Sequence, residues 1–184
     1  IDAIPDEVIQ VMMPEDEIIS FKERSLDPDH PSIRGTSQNP DVFFQAREAG
    51  NSFYSKVPGV VQEVMDEFYQ HTGRKYELFD YIGHPEADRV IVIMGSGEGA
   101  VKETIETLVA KGEKVGALLI RLYRPFYAKD FINKLPKTVK NIAVLDRTKE
   151  PGSLGEPLYL DVVSAFVESG IKMPKIVGGR YGLS

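Results

Sequence analysis

The chain has 184 residues, a formal net charge of −6 and no cysteine. That length holds one domain with a full core, or a smaller domain plus an arm. The acidic balance argues against nucleic-acid or anionic-membrane binding, which needs clustered cations, and the missing thiols exclude disulfides, thiolate-held zinc and cysteine-held iron–sulfur clusters within these residues.

A cysteine-free chain suits the reducing cytoplasm, and a cytoplasmic location is expected. No apolar run approaches the roughly 20 residues of a membrane span, and no signal-peptide pattern is present. The first residue is Ile1 rather than Met, so a piece of a longer protein is expected.

In chain order, two short helical patterns come first, Pro5 to Met12 and about Pro14 to Arg24. The second opens on Glu15 and Asp16, acids that suit a helix N-terminus. From Ser25 to Ser52 periodicity fades among turn formers such as Asp27-Pro28 and Asn39-Pro40, around the short apolar island Val42-Phe43-Phe44. This stretch reads as a connecting arm. Ser55 to His71 is the clearest helix, with Val57, Val60, Val61, Val64, Met65, Phe68 and Tyr69 on one face. Such a stripe is expected to pack as core, with Gly73 as the C-terminal cap.

Tyr76 to Asp88 looks like a hinge-like break, and a domain boundary is placed near residue 82. The chain divides on this reading into a helical and irregular segment, 1–81, and an α/β domain, 82–184. The second part alternates regularly. Strand Arg89 to Met94 leads to a helix from about Gly99 to Lys111, with Val101, Ile105, Leu108 and Val109 facing inward. Strand Lys114 to Leu122, a short helix at Lys129 to Asn133 and strand Asn141 to Leu145 follow. A helix from Pro157 to Glu168 and a strand at Lys175 to Val177 complete the pattern. Alternation of this kind predicts a doubly wound, mostly parallel sheet with helices on both faces.

Gly95, Gly97 and Ala100 fit the G-x-G-x-x-G/A spacing of a dinucleotide fold, at a helix N-terminus where backbone N–H groups can hold an anion. Gly95, Ser96 and Gly97 are therefore candidate anion contacts. An NAD site also wants an acid at the end of the second strand. That strand instead ends in Arg121 and Arg124, which could meet a 2′-phosphate or another anion, or simply pair with surface acids. Glu98 would repel a pyrophosphate and suits the helix dipole. The same spacing also describes a plain βα turn. Asp146 to Glu150 reads as a solvated or ion-paired loop at a strand end.

His30, His71 and His84 lie in unrelated segments, so no metal site is expected. No Gly-x-Ser-x-Gly elbow and no P-loop lysine occur. No residue is assigned a catalytic role.

Several runs resemble one family. Gly35-Thr36-Ser37-Gln38-Asn39-Pro40-Asp41, Arg89 to Gly97, Val115 to Phe126, and Ala143 to Gly152 followed by Leu154-Gly155-Glu156-Pro157-Leu158-Tyr159 are similar to the pyruvate:ferredoxin (flavodoxin) oxidoreductases. The likeness covers essentially the whole chain. It implies a parent that uses thiamine diphosphate, magnesium, [4Fe-4S] clusters and coenzyme A to convert pyruvate to acetyl-CoA, with ferredoxin or flavodoxin as electron partner and a homodimeric state. It further implies that residues 1 to about 80 are the tail of a first domain, and that the rest is a second, transketolase C-terminal-like domain. The thiamine and cluster motifs are absent from this sequence, so the family's catalytic residues fall on no position here. The strand-edge loops, including Arg121 and Arg124, are then expected to dock other domains or to lie near coenzyme A. Two alternatives stand beside this: a self-contained NADP-binding domain, and an interaction module whose arm folds on a partner.

Overall fold

In the computed structural model the chain separates into two units between Tyr76 and Glu77. Residues 3–33 and 35–182 are described; Ile1, Asp2, Arg34, Leu183 and Ser184 fall outside that description.

Among its described residues the first unit holds five helices: α1 (Asp6–Met12), α2 (Glu15–Glu23), α3 (Pro40–Ala49), α4 (Asn51–Tyr54) and α5 (Val57–Thr72). Acids fill the first turns of α1 and α2, where they complement the helix dipole. Helix α3 lies inside the stretch expected as an irregular arm. Pro40 starts it with φ already set for a helix, while its apolar residues Phe43 and Phe44 remain exposed and give no inward-facing periodicity. Helix α5 ends on Gly73 at φ 70, whose N–H donates to Tyr69 O at 2.8 Å. Its apolar stripe, expected to be core, is not buried: Val60, Val64 and Tyr69 are exposed. Among the described residues of this unit only Pro58 is buried.

The second unit is built on five strands: β1 (Phe79–Gly83), β2 (Arg89–Ile93), β3 (Val115–Ile120), β4 (Asn141–Asp146) and β5 (Lys175–Arg180). Their order across the sheet is β1-β3-β2-β4-β5. Strands β2 to β5 run parallel, and β1 pairs antiparallel with β3, Phe79 opposite Ile120. Strand β1 thus occupies the segment expected as a hinge. Its polar Asp80 and terminal Gly83 masked the extended pattern. Strand β3 is buried along its whole length, paired on both edges by β1 and β2.

Among the described residues three helices pack on the sheet: α6 (Glu98–Ala110), α7 (Ala128–Lys134) and α8 (Pro157–Ser169). Helix α6 packs over β3 and β1, with Ile105 among Ile93, Val115, Ala117 and Leu119. Helices α7 and α8 share the other face. There Phe131 meets Phe79 at 5.7 Å and Phe166 at 6.4 Å, in edge-on contacts that aromatic pairs prefer. The connections β2 to α6 to β3 and β4 to α8 to β5 step in opposite directions, so right-handed crossovers put their helices on opposite faces.

Candidate functional site

The loops at the C-terminal ends of the parallel strands are where an α/β sheet of this kind holds ligands. They bring together the candidates from separate parts of the sequence. Gly95, Ser96 and Gly97 lead from β2 into α6, Arg121 and Arg124 follow β3, and Asp146 closes β4.

The glycine loop is filled from within the chain. Tyr181, just after β5, donates its hydroxyl to Met94 O at 2.5 Å. A Cβ on Gly97 would come within 2.8 Å of the Tyr181 ring and 2.7 Å of Ile93 Cδ1. Gly95 adopts φ 81, the left-handed region glycine tolerates. Close internal packing therefore accounts for these glycines. Arg147 Nη1 donates to Ser96 Oγ at 2.6 Å, and Arg147 Nε donates to Gly182 O at 3.3 Å. No feature near residue 97 announces Tyr181, which lies more than 80 positions further on.

Arg121 sits half-buried between two acids. Its Nε donates to Asp80 Oδ2 at 2.5 Å, and its Nη2 and Nη1 donate to Glu98 at 2.6 and 3.1 Å. Burial pulls the guanidinium pKa down, but the hydrogen bonds and charges of Asp80 and Glu98 outweigh it and raise the pKa. Arg124 stacks on Tyr123 at 3.9 Å and lies 2.8 Å from Asp161 Oδ2. Burial, with Asp161 adding to it, pushes the Tyr123 phenol up to about 12. Both arginines thus direct their charge to acids of the same unit. Asp80 and Asp161 carried no signal in the sequence beyond being acids.

Asp146 is fully buried, in contrast to the solvated loop its neighbours suggested. Its two oxygens accept the N–H groups of Leu158 at 3.0 Å and Tyr159 at 3.2 Å. These are amides of the first turn of α8, whose own N-cap, Glu156, makes no side-chain cap. A strand end thereby caps a helix 12 residues away. The Glu156 carboxylate is itself buried; it accepts Glu150 N–H at 2.7 Å and Arg180 Nε–H at 2.5 Å, with Lys149 Nζ at 3.9 Å.

This arrangement does not fit the cofactors that the resemblance implies. A pyrophosphate or coenzyme A phosphate at the glycine loop would meet the Tyr181 ring and the Glu98 carboxylate. Iron–sulfur clusters need thiolates, and the chain has none. Among the described residues, no group of acids or histidines is placed to hold a metal. What the edge can do chemically is hold four chain segments in a fixed relation.

Comparison with known proteins agrees with the sequence motifs. The family described as "Pyruvate:ferredoxin oxidoreductase core domain II" matches residues 87–183. A putative pyruvate-flavodoxin oxidoreductase of Synechocystis is 56% identical over all of this chain, which covers 15% of that relative. The pyruvate:ferredoxin oxidoreductase of Moorella thermoacetica is 55% identical, again over the whole chain and 16% of the relative. The chain therefore spans less than a fifth of these relatives. A solved 2-oxoglutarate:ferredoxin oxidoreductase from Magnetococcus marinus, with 2-oxoglutarate, coenzyme A and succinyl-CoA bound, aligns over 68% of this chain and 20% of its own, at 21% identity and a TM-score of 0.40. The family match over more than half of the residues places this chain in the pyruvate:ferredoxin oxidoreductase core domain II family.

Proposed function

We propose that this chain is the inter-domain portion of a pyruvate:ferredoxin or flavodoxin oxidoreductase, and that it supports the active site without containing one. The parent oxidatively decarboxylates pyruvate to acetyl-CoA. Thiamine diphosphate, magnesium, [4Fe-4S] clusters and coenzyme A belong on this reading to its other domains, and ferredoxin or flavodoxin takes the electrons. The first unit is the end of a preceding domain; the second is the transketolase C-terminal-like domain. The parent acts as a homodimer in the cytoplasm. Gly95, Ser96, Gly97, Arg121 and Arg124 serve as an interface, their polar groups used to stiffen it. No described helix is long and apolar enough to cross a membrane.

One observation carries this reading. The first unit has well-formed helices and almost no core: Phe43, Phe44, Phe53 and Tyr54 are exposed along α3 and α4, and Pro58 alone is buried among its described residues. Apolar side chains in this number need a partner surface, and a relative of which this chain covers only 15% has the further residues to supply one.

The test has two arms. Calorimetric titration of thiamine diphosphate or coenzyme A into the isolated chain is expected to give no heat of binding; tight binding would overturn the reading. The longer polypeptide is expected to reduce flavodoxin or ferredoxin when given pyruvate and coenzyme A, and Phe44→Asp with Phe53→Asp should lower that activity together with its assembly. A longer polypeptide inert toward every 2-oxoacid would also sink it.

A further inference from the structure

The α6 face of the sheet is only half covered. Helix α6 packs over β3 and β1 and reaches Ile93 at the end of β2, which leaves the start of β2 and strands β4 and β5 without one of the described helices over them on that side. Cross-strand partners Ile91, Ala143 and Val177 stand side by side there. Beside them Ala100, Val101, Thr104 and Leu108 form the flank of α6, and together these elements bound a groove of about 600 Å³. Val177 is 46% exposed at its outer side.

We propose that this groove seats an amphipathic helix from another domain of the same longer polypeptide, with a carboxylate beside Lys175. This rests on the proposed parentage. The shape argues for a helix: three strands at about 4.8 Å spacing span the roughly 10 Å width of one helix. A parallel sheet is stable with helices on both faces, and a helix lying alongside α6 completes that layer. Charge argues for an acid on it. Lys175 lines the groove and makes no ion pair among the described residues, whereas Arg89 at the same rim is already paired with Glu113 and Asp88. A second copy fits poorly, because a symmetric pair would bring groove against groove, and neither could fill the other.

The experiment uses the full-length polypeptide with a photoreactive benzophenone side chain in place of Val177, and a second preparation with it in place of Phe44. After illumination, mass spectrometry should join position 177 to an acid-bearing helical segment outside residues 1–184, in a product of single-chain mass. In parallel, Val177→Cys should react with maleimide at least tenfold more slowly in the native protein than after unfolding. A product joining 177 to residues 1–184, a product of doubled mass, or alkylation at the unfolded rate would each overturn the proposal. Cross-linking from position 44 to the rest of the polypeptide, with position 177 freely alkylated, would remove the groove's occupant and leave the parentage standing. Free probes at both positions would remove both.

Discussion

The Tyr181 ring presses on Gly97 so closely that a single added methyl group would lie 2.8 Å from its Cε2 atom. The pair couples the glycine loop after β2 to the chain emerging from β5. Gly97→Ala is expected to destabilise the second unit by about 1–3 kcal/mol, the usual range for overpacking. Tyr181→Ala should relieve part of that cost, because Ile93 remains 2.7 Å from the same methyl. A double-mutant cycle by urea unfolding measures the coupling. Independent, additive effects would mean that the ring does not fill the loop.

Asp146 predicts a second loss. Removing its carboxylate leaves two first-turn amides of α8 without acceptors in a buried position. Asp146→Ala should therefore cost about 1–3 kcal/mol, more than an exposed cap. Asp146→Asn keeps one acceptor and should fall between the two. Chemical denaturation ranks the three proteins; an unchanged midpoint for Asp146→Ala would refute the capping role.

Acid should act through Glu156. Burial raises its pKa, but the Glu150 amide, Arg180 and Lys149 outweigh that and hold it below the ordinary 4.5. With the folded value depressed, the stabilisation is complete above the unfolded value and fades as pH falls through the folded one. The melting temperature of the wild type should drop between pH 5 and pH 3 more steeply than that of Glu156→Gln. Parallel profiles would disprove the linkage.

Tyr81 offers a fourth check. Its hydroxyl donates to His84 O at 2.7 Å, and burial pushes the phenol up to about 12. Tyr81→Phe should cost about 0.5–1.5 kcal/mol, the net value of one hydrogen bond. Gly116→Ala should cost more, since its Cβ would fall 2.1 Å from the Tyr81 hydroxyl. Because the folded phenol is raised, the contribution is full below pH 10 and declines as pH rises towards 12. Calorimetric unfolding of the three proteins gives the order.

Elements whose apolar residues face a core inside this chain were legible in the sequence. Val101, Ile105 and Leu108 on α6, and the unbroken run of β3, announced themselves by period. Strand β1 did not, because Asp80 turns to Arg121 and Tyr81 to a loop carbonyl, which breaks the alternation. Helix α5 was legible as a helix, yet its stripe misled as to burial: periodicity reports that a face is apolar and not what covers it. Gly95 to Gly97, Arg121 and Arg124 all lie at the strand edge. Their use was hidden, because it depends on Tyr181, Asp80 and Asp161, residues brought close only by the sheet. The G-x-G-x-x-A spacing reports a tight approach to backbone, and a tyrosine ring satisfies it as well as a phosphate does.

The pairing of Arg121 with Asp80 and Glu98, of Arg124 with Asp161 and of Arg180 with Glu156 has a consequence for recognition. A domain approaching this rim meets a surface close to electrical balance, where shape and peptide groups supply the fit. Association there should barely respond to ionic strength between low and physiological salt, unlike the steep dependence of contacts between unpaired charges.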